Sequence, residues 1–175
     1  MIAWLDPTAR HQIEREASRH RFVETGGPLF GYEVDDDLVV VGVGGPGPKG
    51  RHRLRTFRPD HAAVDRAIAR VHEASEGRYR YLGTWHTHPF GRSRPSSKDV
   101  AAARTITEEP AVLLPRPLII IQATWPPLRT YRDRDLRGFY WSPAETDLVP
   151  IDLRVLRAGE RQHLLLDLDW EAVVV

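Results

Sequence analysis

The chain contains no cysteine. That one absence excludes a disulfide, a thiolate-ligated zinc, an iron–sulfur cluster and a thiol nucleophile. Long apolar runs are missing too: nothing approaches 18 consecutive apolar residues, and the opening MIAWLDPTARHQIEREASRH has no apolar stretch of the signal-peptide kind. Nor is one sign of charge in excess, since 25 Lys and Arg stand against 24 Asp and Glu, a net charge of +1. A protein that coats a nucleic-acid duplex carries a larger surplus, so wholesale nucleic-acid binding is disfavoured. What is present is 175 residues, 41% of them hydrophobic and 28% charged. That is enough chain for one domain with a buried core, and too apolar for disorder. The expectation is a cytoplasmic protein of one domain.

Asp6-Pro7 predicts a helix start, with Asp6 as the cap and Pro7 at the first helical position. Ile13 and Ala17 lie on one face of that helix, which runs to about His20. Residues 24–27 lead into an extended segment at 28–32. Asp35-Asp36-Asp37 reads as the solvated tip of a hairpin, with 38–43 as the return strand. The Gly/Pro loop at 42–50 contains a literal G-x-G-x-x-G at Gly42, Gly44 and Gly47. Pro46 interrupts it and no helix follows, so it lacks the context of a dinucleotide fingerprint.

The most basic segment, RHRLRTFR at 51–58, reads as an edge strand with a solvated face. A patch for an acidic partner is its functional alternative, and a nucleic-acid contact a more distant one. Pro59-Asp60 predicts a helix over 61–75, with Val64, Ala67, Ile68 and Val71 at helical spacing and Gly77 after it. Strands are expected at 79–85, 118–125, 128–131 and 136–141, a helix at 96–107 capped by Ser96, and two more strands beyond Leu148. Trp4, Trp125, Trp141 and Trp170 read as packing residues. Helices interspersed with hairpins give an α/β class with a mixed sheet.

The most informative stretch is Trp85-His86-Thr87-His88-Pro89, followed by Ser96-Ser97-Lys98-Asp99. In extended backbone, residues two apart face the same side, so the two imidazoles converge. Ser96 and Asp99, three apart at a helix start, share a face. Two neutral imidazoles and a carboxylate are suitable zinc ligands and leave a fourth position for water, the pattern of a hydrolytic rather than a structural site. With 8 His, 6 Ser and 13 Asp in the chain, H-x-H-x7-S-x2-D arises by chance about once in 10³ such sequences.

That motif, with Pro89 after the second histidine, resembles the zinc motif of the JAB/MPN (JAMM) metalloproteases. Glu24-Thr-Gly-Gly-Pro-Leu-Phe-Gly is similar to the family's E-x-G-G-x-L-x-G segment, and the Gly-Pro-Gly-Pro loop at 45–48 and Tyr-Leu-Gly-x-Trp before His86 look like stand-alone bacterial members. The resemblance covers about Val23 to Trp141. It implies one domain over 1–175, with an N-terminal helix in 1–20 and a C-terminal extension of unknown role at 146–175. The implied fold is a largely antiparallel, curved mixed sheet flanked by helices, of the cytidine-deaminase-like kind.

The implied activity is a zinc-dependent peptidase or isopeptidase that cleaves after the Gly-Gly-type tail of a ubiquitin-like or sulfur-carrier protein. Zn2+ would be held by His86, His88 and Asp99, with zinc-bound water as nucleophile, Glu24 as general base and acid, and Ser96 as oxyanion stabiliser. Gly45, Gly47 and Trp85 are candidates for contact with the substrate. Spacing alone does not choose Glu24 over Glu14, Glu16 or Glu33. Partners implied are a ubiquitin-like protein or its conjugate, and activating or conjugating-enzyme homologues from the same operon. The alternative from another class is a catalytically silent MPN-type scaffold.

Overall fold

The computed structural model describes residues 1–110, 112–124, 136–157 and 170. Its elements in order are β1 (Ile2–Leu5), α1 (Pro7–Arg19), β2 (Gly26–Val34), β3 (Asp37–Val43), β4 (Arg51–Arg53), β5 (Thr56–Arg58), α2 (His61–Ala74), β6 (Arg80–Pro89), α3 (Ser97–Glu108), β7 (Leu118–Thr124), β8 (Leu136–Ser142) and β9 (Asp147–Val155). The expected strand at 128–131, Trp125 and the second C-terminal strand lie outside the described residues.

The helix starts follow the predicted chemistry. Asp6 accepts from the Thr8 amide at 2.7 Å, with Pro7 in the first turn. Asp60 accepts from the Ala63 amide at 3.3 Å through Oδ1 and from the Lys49 amide at 3.3 Å through Oδ2. The second cap therefore also secures the Gly/Pro loop. Such caps satisfy amides that have no partner within the helix.

Seven strands form a mixed sheet in the order β1-β3-β2-β6-β7-β8-β9, and it closes because β1 also pairs with β9. The pairs β1–β3, β1–β9 and β6–β7 are parallel; β2–β3, β2–β6, β7–β8 and β8–β9 are antiparallel. The α/β class with a mixed sheet is as the sequence predicts. Two features differ. The N-terminal residues before Asp6 are a strand, β1, and the basic segment is not an edge strand of the main sheet but a separate two-stranded hairpin, β4–β5. The first part of the 146–175 extension is β9, a strand paired on both sides.

The strands of the main sheet mostly alternate their side chains between two packing environments, and the irregularity of the β2–β6 pair around Leu82 lets Leu82 and Trp85, three apart, share one of them. On one side Leu29, Leu38, Val40, Leu82, Trp85, Leu118 and Ile120 pack with Ala9 and Ile13 of α1. On the other, Phe30, Val39 and Val41 meet Ala67 and Val71 of α2, with Tyr79 and Trp170. Ile119 and Ile121 pack with Ala103 of α3, Phe139 and Trp141 in a third cluster. This explains the uninterrupted apolar run of β7: both of its faces are covered. Trp4, partly buried, Trp141 and Trp170 all take part in packing, as expected.

Asp37 is more than the last residue of an acidic turn. Its Oδ1 accepts from the Ile2 amide at 2.7 Å and its Oδ2 from Trp4 Nε1 at 3.1 Å, tying β1 to the start of β3. These bonds, the Trp4 one foremost, hold the Asp37 carboxyl below its ordinary value. A carboxylate with a depressed folded pKa stabilises the fold above its unfolded pKa, and that contribution disappears as pH falls through the folded value. Asp37→Asn, which turns an amide N–H toward a donor, is therefore expected to lower the melting temperature at pH 7. The gap to the wild type should narrow once pH falls below about 4, near the unfolded Asp value; thermal melts across pH 2–7 measure it, and an equal gap at both ends would contradict this role.

Candidate metal centre

The site begins with the pairing of β2 and β6. Their antiparallel register sets Gly26 opposite His86 and Gly27 opposite Trp85. It continues past the end of β2, where the Thr87 amide donates to the Thr25 carbonyl at 2.8 Å and the Thr25 amide donates to Thr87 Oγ1 at 3.0 Å. One residue further comes Glu24, whose carboxyl lies near enough to His88 and His86 to be influenced by both. Gly26 makes this approach possible, because a Cβ there would lie 2.2 Å from the Trp85 carbonyl oxygen. In β6, Thr87 is fully buried and faces Thr25, so the alternation turns His86 and His88 together to the other side.

The third candidate ligand comes from the first turn of α3. Ser96 caps the helix, and both its amide and its Oγ donate to Asp99 Oδ2, at 2.6 and 2.7 Å. Asp99 Oδ1 then lies 3.1 Å from His86 Nε2, and Oδ2 is 3.6 Å from His88 Nε2. The two Nε2 atoms are 3.0 Å apart. A tetrahedral first-row metal with bonds near 2.1 Å separates its ligand atoms by about 3.4 Å, so the spacing fits one. The His88 ring is oriented from behind by Nδ1, which donates to the Arg92 carbonyl at 3.0 Å and leaves the Nε2 lone pair facing the cluster. Among the described residues, His86, His88 and Asp99 form the one group of three or more such side chains able to hold an ion.

The electrostatics suit a cation. Burial pushes the Asp99 carboxyl up, yet hydrogen bonds from His86 and His88 outweigh it and hold Asp99 far below the usual carboxylate range. For His88, burial acts downward but the Asp99 and Arg92 hydrogen bonds win, and its value is raised. Burial raises the Glu24 carboxyl, against the downward pull of His88 and His86. The other candidate glutamates are engaged elsewhere: Glu14 with Arg10, Glu16 with Arg19 and His20, Glu33 with Arg80 and Arg116.

The residues predicted for substrate contact are differently placed. Trp85 is 1% exposed and its indole N–H donates to the Gly44 carbonyl at 2.9 Å, so it lies beneath the Gly/Pro loop as part of the core rather than on the surface. Gly47 has φ +75, the left-handed region, and a Cβ there would sit 2.7 Å from the Asp60 Cβ, which ties it to the start of α2. Only Gly45 faces open space. Sequence reasoning passed over Thr25, Thr87 and His52. The His52 ring bonds the Glu24 carbonyl across 28 positions, a contact with no local sequence signal.

Residues 7–135 match the family described as prokaryotic homologues of the JAB domain. A probable metalloprotease of Sinorhizobium fredii is 33% identical over 122 residues, spanning 69% of this chain and 74% of that protein. A CD-NTase/cGAS isopeptidase of Vibrio cholerae is 38% identical over 99 residues, 54% of this chain and 62% of its own length. The solution structure of a Desulfitobacterium hafniense protein superposes with a TM-score of 0.68 at 18% identity, covering 94% of this chain and all of that one, a likeness of fold. By the extent of the family match, this chain belongs to the prokaryotic JAB domain family.

Proposed function

We propose that the protein is a zinc-dependent peptidase or isopeptidase that cleaves the bond following the Gly-Gly-type tail of a ubiquitin-like or sulfur-carrier protein. The observation that carries this reading is the convergence of His86, His88 and Asp99 with a half-buried Glu24 beside them. The names of the two relatives, a metalloprotease and an isopeptidase, support the reaction class.

Two imidazoles and one carboxylate would hold the zinc and leave its fourth position open. Bound zinc supplies Lewis acidity and a water whose pKa falls to about 7. Glu24 takes the proton of the attacking water and delivers it to the departing amine, work for which a carboxyl raised by burial is better matched to neutral pH. Ser96 Oγ, at the α3 cap, has one hydrogen, which rests on Asp99 Oδ2; as the scissile carbonyl is attacked the hydroxyl turns it to the oxygen that gains charge. Among the described residues the main sheet closes on itself and offers no free edge, so an extended tail would lie in the groove bounded by the Gly/Pro loop at Gly45 and the segment before α3 rather than extend that sheet. Trp85 and Gly47 hold that loop in shape from below.

Elemental mass spectrometry of the wild type should find about one zinc per chain, and of His86→Ala little. Zinc in neither, after refolding with excess metal, would overturn the assignment. Glu24→Ala should retain its zinc and lose cleavage of a ubiquitin-like fusion by 10²-fold or more, the usual worth of a general base; full activity would exclude Glu24 from that role. Replacing the two terminal glycines of the substrate by leucines should stop turnover in an end-point cleavage assay. Equal cleavage of both substrates would rule out a narrow channel at the reacting bond.

A further inference from the structure

The basic segment at 51–58 has no part in the chemistry above, yet it touches the site at two points. Glu24 stands before the first residue of β2, outside the regular ladder, where nothing in the strand pattern alone would fix it. Its backbone is held by β4 on both sides. The Glu24 amide donates to the Arg53 carbonyl at 2.8 Å, and His52 Nδ1 lies 3.0 Å from the Glu24 carbonyl. A carbonyl oxygen can only accept, so Nδ1 carries the proton.

The His52 ring is itself fixed. It stacks on His20, at the end of α1, with centroids 4.2 Å apart and planes within 9°. On the hairpin it meets Phe57 at 5.4 Å. The hairpin's other end reaches α3: Lys98 Nζ donates to the Arg55 carbonyl at 3.2 Å and to Thr56 Oγ1 at 3.4 Å. Lys98 directly precedes the metal-ligating Asp99. The hairpin thus spans from the backbone of the glutamate to the helix that carries the third ligand.

We infer that His52 is a positioning residue for Glu24, and that the β4–β5 hairpin is a bracket setting the glutamate against the metal-binding helix. The inference rests on the hydrolase reading for its kinetic consequence, but the contact it describes is independent of it. A carboxylate carried on a backbone free to shift by 1 Å loses catalytic alignment by up to about 10²-fold. The arginines of the hairpin, Arg51, Arg53, Arg55 and Arg58, are exposed; its contribution at the site comes from backbone groups and one imidazole, not from its charge.

Two variants separate the donor from the ring. His52→Phe keeps an aromatic ring between His20 and Phe57 and removes the donor; His52→Asn places an amide N–H near the Nδ1 position and removes the ring. Two readouts are taken on the full-length protein: amide hydrogen exchange of the peptide containing Glu24, and kcat, KM and zinc content with a ubiquitin-like fusion. His52→Phe should speed exchange at Glu24 and lower kcat about tenfold with KM and zinc unchanged, whereas His52→Asn should stay within about threefold of the wild type in both. Unchanged exchange and kcat in His52→Phe would overturn the inference, as would loss of zinc in that variant, which would make His52 a support of the metal site instead. Equal defects in the two variants would also overturn it, pointing to ring packing alone. If the exchange pattern holds but the wild type cleaves no ubiquitin-like fusion, the bracket stands and the proposed function fails.

Discussion

The antiparallel register between β2 and β6 is the constraint on which the site depends. The sum of paired positions is constant along an antiparallel ladder without a bulge, and here Gly26 opposite His86 carries Thr25 to Thr87, which leaves Glu24 as the next residue beyond the paired run. The irregularity in this pair falls between Leu29 and Phe30, beyond the site, so the run that matters is uninterrupted. A slip of one residue would turn His86 and His88 into the core and Thr87 outward. The reciprocal bonds between Thr25 and Thr87 oppose such a slip from a fully buried position, where an unpaired polar group costs about 1–3 kcal/mol.

The second constraint is local. The first turn of a helix needs its free amides satisfied, and Ser96 with Asp99 three residues later is a capping-box arrangement. One carboxylate oxygen serves the cap through the Ser96 amide and hydroxyl, and the other lies near the His86 imidazole. Folding of α3 therefore orients Asp99 without reference to any ligand. A histidine pair aimed by a strand and a carboxylate aimed by a cap arrive at the cluster by independent local rules, and the chain between them is only the turn at residues 90–95.

This is why part of the molecule was legible in its sequence and part was not. The imidazoles, the serine and the carboxylate lie within fourteen consecutive residues and obey periods of two and three, so their convergence follows from local geometry. The caps at Asp6 and Asp60 are equally local and appear as expected. Glu24 is different: it lies beyond the start of β2 and is held by backbone contacts to β4, 28 positions away at His52, and only the ion pairs of Glu14, Glu16 and Glu33 separate it from those other glutamates. Strand β1 has four residues, too few for a periodic signal, and exists because it pairs in parallel with β3 and β9. The hairpin at 51–58 hid for a similar reason, being two strands of three residues each. Trp85, a candidate for substrate contact, is buried because alternation along β6 turns it to the face opposite His86.

The connection between the histidine strand and the ligand helix carries a further physical consequence. Phe90, the residue after β6, has φ +59, a conformation that bulky side chains rarely adopt and that costs of the order of 1–3 kcal/mol. Phe90 is 44% exposed, and its ring stacks on that of Phe22, 55% exposed, at 6.1 Å. The burial of an apolar ring does not account for such a backbone. What holds it is the closure around it: Gly91 donates to the His88 carbonyl, and the His88 ring donates to the Arg92 carbonyl. The same bond that aims the His88 lone pair at the cluster keeps the turn in its strained shape. A metal joining His86, His88 and Asp99 would close a loop already fourteen residues long and already bent, so most of the ordering entropy of ligation is met by the fold before an ion arrives. The preformed cluster, with its ionised carboxylate against two imidazoles, is the reason the metal-binding reading outweighs one in which these side chains only pack.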